Sequence, residues 1–238
     1  MKLIETYQSL LQAQELDNPI WHSLTGCLSY AAEASFLSIR MKSSFGPFAA
    51  VREESCEGFN SLAELLPLDT SAMLFLNSAP EVLPESLTLD FLGPLVQMIC
   101  NTPTQSLIDA RICKLEQADL GAMIDLAQCT KPGPFAARTN ELGTYFGIKQ
   151  GKQLVAMVGE RLQADRFTEI SAVCTHPEYR GRGFAKLLLN AMCNRILSIG
   201  RHPILHVRPD NVEAVHTYLK VGFREYRRFK RCILKRVR

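Results

Sequence analysis

Residues 168–185, Thr-Glu-Ile-Ser-Ala-Val-Cys-Thr-His-Pro-Glu-Tyr-Arg-Gly-Arg-Gly-Phe-Ala, constrain the fold of this chain more than any other segment. An apolar run from Ile170 to Thr175 reads as a strand and stops at His176-Pro177. A glycine loop, Arg180-x-x-Gly183-x-Ala185, follows, and apolar residues at helical spacing then predict an amphipathic helix from Phe184 to about Ser198. A strand that enters a helix through a glycine turn suits a phosphate. The glycines let the backbone come close, and the N–H groups of the first helical turn have no partner inside the helix and point at the anion.

Spacing narrows the choice of ligand. The dinucleotide pattern G-x-G-x-x-G would need a third glycine where Lys186 stands, and the P-loop pattern needs a glycine directly before that lysine. What remains resembles the [QR]-x-x-G-x-[GA] signature of the GNAT superfamily of N-acetyltransferases, whose loop grips the pyrophosphate of acetyl-coenzyme A. A second segment, Arg208 to Phe223, is similar to the later half of that superfamily's core. Asn211 opens a helix, Ala214 and Tyr218 fall at i+3 and i+7 on the same face, and Gly222-Phe223 begins the next strand. The stretch from about Glu141 to Gly222 most resembles the subgroup related to glycine N-acyltransferases. The resemblance is specific over the last 130 or so residues and faint over the first hundred.

The resemblance implies an α/β (α+β) fold with a mixed central sheet flanked by helices, and acetyl-CoA as acyl donor. Arg180, Gly181, Arg182, Gly183, Phe184, Ala185 and Lys186 would cradle the pyrophosphate. The strand backbone around Val173 and Thr175 would pair with the amide-bearing pantetheine arm as an added strand does. Tyr218 falls where superfamily members keep a tyrosine beside the CoA sulfur, which makes it the candidate general acid; otherwise it is a half-buried residue packing on the sheet. Glu169 matches a strand glutamate used as base in the histone-acetylating branch; otherwise it is a solvent-facing charge at the start of a strand. Asn211 either caps its own helix or touches the cofactor. His176 reads as a loop residue, His216 faces solvent, Trp21 is core packing, and His206 lies on a strand from which it can line the acceptor side.

Composition excludes other classes. No apolar run approaches the ~18–20 residues of a membrane span, and Met1 to Gln8 has an early acidic residue and no export-type apolar stretch. The eight cysteines are scattered, with no C-x-x-C pair and no zinc spacing; they read as buried thiols of a reducing cytosol, and we expect a cytoplasmic protein without a metal. Arg224 to Arg238 carries eight Lys and Arg against one Glu, in a chain whose net charge is +3. Its interleaved Tyr226, Phe229, Cys232, Ile233, Leu234 and Val237 favour a terminal strand pair with a cationic face over a nucleic-acid arm. Such a face attracts a polyanionic cofactor.

Asn101-Thr-Pro-Thr-Gln-Ser106 is polar and turn-rich and divides the chain into an N-terminal α/β unit, 1–103, and a catalytic unit, 104–238. After the division we expect a strand at 107–115, a helix at 116–128 broken by Lys131-Pro-Gly-Pro, a short helix near 135–138, a hairpin of 143–149 with 153–162, the motif elements, and a strand at 204–207. Before it, 3–16 and 19–34 read as helices, 48–51 and 73–76 as strands, and 59–66 as a helix. Residues 89–100, interrupted by Gly93-Pro94, read as a bent edge strand. This alternation lets the first unit be read as a degenerate, cofactor-free copy of the same fold.

The leading functional reading is transfer of acetyl from acetyl-CoA to a primary amine of a small molecule or peptide. The alternatives are a longer-chain acyltransferase with a small amino-acid acceptor, and a non-catalytic acyl-CoA sensor.

Overall fold

A computed structural model describes residues 13–102 and 109–238. In chain order the elements are α1 (Gln14–Asp17), α2 (Pro19–Thr25), β1 (Ala32–Ala34), β2 (Ser38–Met41), β3 (Ala49–Val51), α3 (Cys56–Leu65), β4 (Ser71–Leu76), β5 (Leu87–Ile99), β6 (Ile112–Leu115), α4 (Leu120–Thr130), β7 (Tyr145–Gln150), β8 (Gln153–Gln163), β9 (Phe167–Thr175), α5 (Phe184–Ser198), β10 (His202–Val207), α6 (Val212–Val221) and β11 (Arg224–Arg236). An eight-stranded sheet runs in the order β4-β11-β5-β10-β9-β8-β7-β6, and β1-β2-β3 form a small antiparallel sheet. A bridge between Phe48 and Met73 joins the small sheet to the β4 edge of the large one.

The sheet crosses the expected division at 103/104. Strands β4 and β5 come from before it and flank β11, so the N-terminal residues build the same sheet as the C-terminal ones. The dividing segment itself lies mostly outside the described residues, as does most of the helix expected at 3–16. Residues 89–100 are also placed differently. From Val96 to Ile99 strand β5 is hydrogen-bonded to β11 on one side and β10 on the other, whereas from Leu87 to Leu95 only β11 pairs with it. Gly93 takes φ 100° at the change. The terminal strand pair is one 13-residue strand, whose irregularities at Glu225/Arg227 and Lys230/Cys232 keep it in register with a bent partner. The helix expected at 19–34 ends at Thr25, and the short helix near 135–138 is a 3₁₀ turn at Thr139–Leu142.

Helices α5 and α6 cover one face of the sheet. Phe184, Leu188, Leu189, Met192, Cys193 and Ile196 form the buried stripe of α5 and pack with Val155, Val158, Leu205 and Val221. Each such side chain contributes roughly 1.5–3 kcal/mol by leaving water. The opposite face is covered by α4, over Met157 and Tyr145, and by α2 with β2 and β3, over Leu95, Leu162 and Phe229. Gly222 ends α6 in the left-handed region at φ 116°, and the Phe223 N–H returns to the Tyr218 carbonyl. A Cβ on Gly222 would lie 2.6 Å from the Thr102 carbonyl oxygen, so Gly222-Phe223 is a helix stop followed by a buried anchor.

Candidate active site

Among the described residues the only parallel neighbours in the large sheet are β9 and β10, and their pairing is short. It runs from His202–Phe167 to Ile204–Glu169 and stops, although β9 continues to Thr175 and β10 to Val207. Beyond that point the strands part, and among the described residues the edge of β9 that faces β10 has no strand to pair with. A cleft of about 1020 Å³ opens there. Strand β9 carries an extra residue relative to β8 between the pairs Met157–Cys174 and Gly159–Ser171. The excess is taken up at Ala172, which has φ 52° despite its Cβ, a conformation costing roughly 1–2 kcal/mol. The bulge turns the backbone of Val173 to Thr175 toward the cleft that these residues line.

The glycine loop forms one end of this cleft. Gly181 and Gly183 have φ 75° and 77°, and Gly183 occupies the N-cap position of α5 without a side-chain cap. The Leu187 N–H makes the first bond of the helix, to the Gly183 carbonyl, leaving the N–H groups of Phe184, Ala185 and Lys186 ahead of it. A Cβ on either glycine would meet no protein atom within 4 Å. The positive φ and the approach of a ligand call for glycine here, while crowding does not. Arg180, Arg182 and Lys186 also line the cleft, which among the described residues holds eight Lys or Arg side chains and one acid, Glu213.

Helix α6 forms the facing wall. The Asn211 side chain accepts from the Ala214 N–H at 3.3 Å, so it caps its helix, and it lines the cleft as well. Tyr218 lies on the same face, seven residues or about two turns further on, and is 9% exposed. Burial, helped by the nearby Cys174 thiol, pushes its phenol up to about 12. Cys174 is the sole cysteine among the described lining residues, and burial pushes its thiol up to about 11. It therefore stays protonated at neutral pH and is a poor nucleophile.

Glu169 is the site residue that does not join this group. It is fully buried and outside the cleft lining, neither facing solvent nor open to an acceptor. Arg161 donates to both carboxylate oxygens, at 2.8 and 2.5 Å, and His206 Nδ1 lies 2.7 Å from one of them. Burial pushes the carboxyl up, but Arg161 and His206 outweigh it and hold the group at about 2. A carboxylate held so low and so fully bonded is a weak proton acceptor, so the geometry does not support the base expected from the sequence. His206 Nε2 in turn lies 3.1 Å from the Gln97 amide nitrogen, and the Phe75 ring lies tilted at 45° to the imidazole with the centroids 4.9 Å apart.

The residues from 145 to 232 match the family model described as FR47-like protein. Over 94% of this chain and 99% of the other, the protein is similar to a crystal structure from Novosphingobium aromaticivorans assigned as an acetyltransferase of the GNAT family, at 36% identity and a TM-score of 0.85. The chain belongs to the GNAT family. A GCN5-related N-acetyltransferase from Kribbella flavida shares the fold at 15% identity and TM-score 0.60, covering 90% of this chain and 92% of that one. So does a GNAT-family acetyltransferase from Colwellia psychrerythraea, at 16% and 0.53, covering 93% and 90%. Comparison with curated proteins gives no match.

GNAT-family acetyltransferases take their acyl group from an acyl-CoA, and the residues of this cleft suit one. The N-terminus of α5 and its cations match a pyrophosphate, and the open edge of β9 matches the pantetheine amides. The Thr175 hydroxyl oxygen, buried and without a partner among the described residues, adds a polar atom on that strand. Sequence reasoning missed the other side of the cleft, formed by Met73, Phe75, Leu95, Arg161 and Arg231 with the turn Thr130–Pro134. Lys131-Pro-Gly-Pro was legible as a helix stop, but nothing local marked β4, β8 or β11 as a wall of the site.

Proposed function

We propose that this protein moves an acetyl group from acetyl-CoA directly to a primary amine, with Tyr218 serving the departing sulfur. The observation that carries the proposal is a tyrosine held neutral on the wall of the cleft that also contains the phosphate loop. The donor supplies a thioester acyl group, and everything else is positioning and proton control by the chain. The backbone of Val173 to Thr175 aligns the donor and the loop from Arg180 to Lys186 anchors it. As negative charge grows on sulfur, the Tyr218 hydroxyl donates a hydrogen bond to it. Full proton transfer from a phenol near 12 to a thiolate whose conjugate acid is near ~8.5 is uphill by about 5 kcal/mol, so the donated bond is the useful contribution. A direct transfer fits the protonated state of Cys174, which leaves the cleft without a ready thiol carrier among the described residues. We assign Glu169 the task of fixing Arg161 and His206, without proton transfer.

A second reading, transfer of a longer acyl chain as in glycine N-acyltransferases, is favoured by the apolar side chains of Met73, Phe75 and Leu95 along the cleft. The eight free cysteines suit a reducing compartment such as the cytoplasm. Acetyl-CoA should raise the melting temperature by mass action far more than NAD or ATP, and an acyl-chain series in a thiol-release assay separates the two readings. Failure of acetyl-CoA to bind would overturn both.

A further inference from the structure

We propose that Arg231 is the anchor for a carboxylate carried by the amine acceptor, so that the acceptor is a free amino acid and not a simple amine. The inference rests on the acetyl-CoA reading above. Arg231 lies on β11 opposite Phe75 of β4, and both side chains line the cleft on the face away from α5 and α6. Its Nη2 donates to the Leu92 carbonyl at 2.9 Å. Its Nε is buried and has no hydrogen-bond partner, and no carboxylate lies within ion-pair distance of its guanidinium, among the described residues. A buried charged donor without an acceptor is costly unless a ligand completes it.

The neighbouring charges leave that task to a ligand. Arg161 is occupied by Glu169 and so is His206, while Lys131 is exposed at the rim. Glu213, the cleft's only acid among the described residues, stands on α6 at the opposite wall. This end of the cleft therefore has excess positive charge. It repels a bare ammonium or a polyamine but accepts an amine that brings its own carboxylate. The anion in question is not the donor's pyrophosphate. That group belongs to the loop that follows β9, and β11 is three strands away across β10 and β5, about 14 Å at the usual spacing. A guanidinium offers a carboxylate a planar, two-pronged partner, while Phe75, Met73 and Leu95 give the acceptor's carbon skeleton an apolar bed.

The test uses the full chain, acetyl-CoA and matched acceptor pairs: glycine and methylamine, alanine and ethylamine, phenylalanine and phenethylamine, lysine and cadaverine. Thiol release from acetyl-CoA is the readout. At least one amino acid should be used with a kcat/KM about tenfold or more above that of its decarboxylated partner. Arg231→Met should raise the KM for that amino acid about 10- to 100-fold, the scale of a lost charge-assisted bond, with Arg231→Lys recovering part of it. The rise in melting temperature on adding acetyl-CoA should persist in both variants, which shows that they fold and load the donor. Amines used as well as their parent acids, an unchanged KM in Arg231→Met, or thiol release with neither set while acetyl-CoA still binds would each overturn the inference. Loss of acetyl-CoA binding in the unaltered protein would instead take down the donor reading and this inference with it.

Discussion

The two sides of the cleft are built from different materials. The side we assign to the donor is mostly backbone: a bulged strand edge, a glycine loop and the first turn of α5, all within residues 171–187. The side we assign to the acceptor is mostly side chain, brought from β4, β5, β8, β10 and β11 by the sheet, with the turn Thr130–Pro134 beside it. A backbone site is encoded locally because glycine and the helix start dictate where N–H groups point. A side-chain site exists only after distant strands pair. The first kind recognises what every member of a donor class shares, and the second sets what one chain accepts.

That contrast is most exposed at Gly183. Gly183→Val should abolish the acetyl-CoA-induced rise in melting temperature. The unliganded protein should lose only about 1–2 kcal/mol, from a residue with a Cβ forced to φ 77° in open space. Undiminished acetyl-CoA binding by this variant would break the assignment of the donor side. Titration calorimetry should also give one acetyl-CoA per chain, since the loop occurs once; a value near two would place a second site in the N-terminal residues.

Next in size is Glu169→Gln. Removing one partner of a buried ion pair typically costs about 3–5 kcal/mol, and here it strands Arg161 and His206 together. The pH dependence has a definite sign. A carboxyl held at about 2 in the folded chain, below its unfolded value near ~4.3, adds stability above that unfolded value. This stability drains away as pH falls toward 2. Denaturant melts between pH 6 and 2.5 should show that loss in the natural protein and a flatter trend in the variant. A Glu169→Gln protein of unaltered stability whose pH–rate profile loses its acidic limb would restore the base role.

Tyr218→Phe should lower kcat by ~100-fold while acetyl-CoA affinity stays within a few-fold. Full activity with reduced stability would make the tyrosine a packing residue and leave the site without its acid. The smallest effect is expected at Asn211→Ala, about 1 kcal/mol of stability from a lost helix cap. A drop in acetyl-CoA affinity beyond that amount would show that Asn211 also reaches the donor.

The helices of the motif region were legible with their bounds. Apolar spacing and Gly183 gave α5 from Phe184 to Ser198, and Asn211 and Gly222 bracket α6 as cap and stop. Elsewhere the sequence misled for identifiable reasons. Gly93-Pro94 signals an edge, and β5 is an edge only up to Leu95; its last turn of chain is central because β10 arrives from a hundred residues later. The alternating apolar residues of the basic tail indicated strands but not that one long strand would lie between β4 and β5.

What the sequence determined by itself was therefore local: where the glycine loop forms, which helices flank it, and where they stop, because caps, glycines and periodicity act over a few residues. Tertiary structure alone decided the state of each ionisable side chain. Glu169 looks like any strand glutamate until Arg161, eight residues away, and His206, 37 away, close on it, and His206 is itself met by Gln97, 109 positions earlier. Arg231 looks like one of eight cations in a basic tail until pairing with β4 turns it into the cleft. Burial and partnership set the charge and reach of such groups, and neither exists until the strands that supply them have come together.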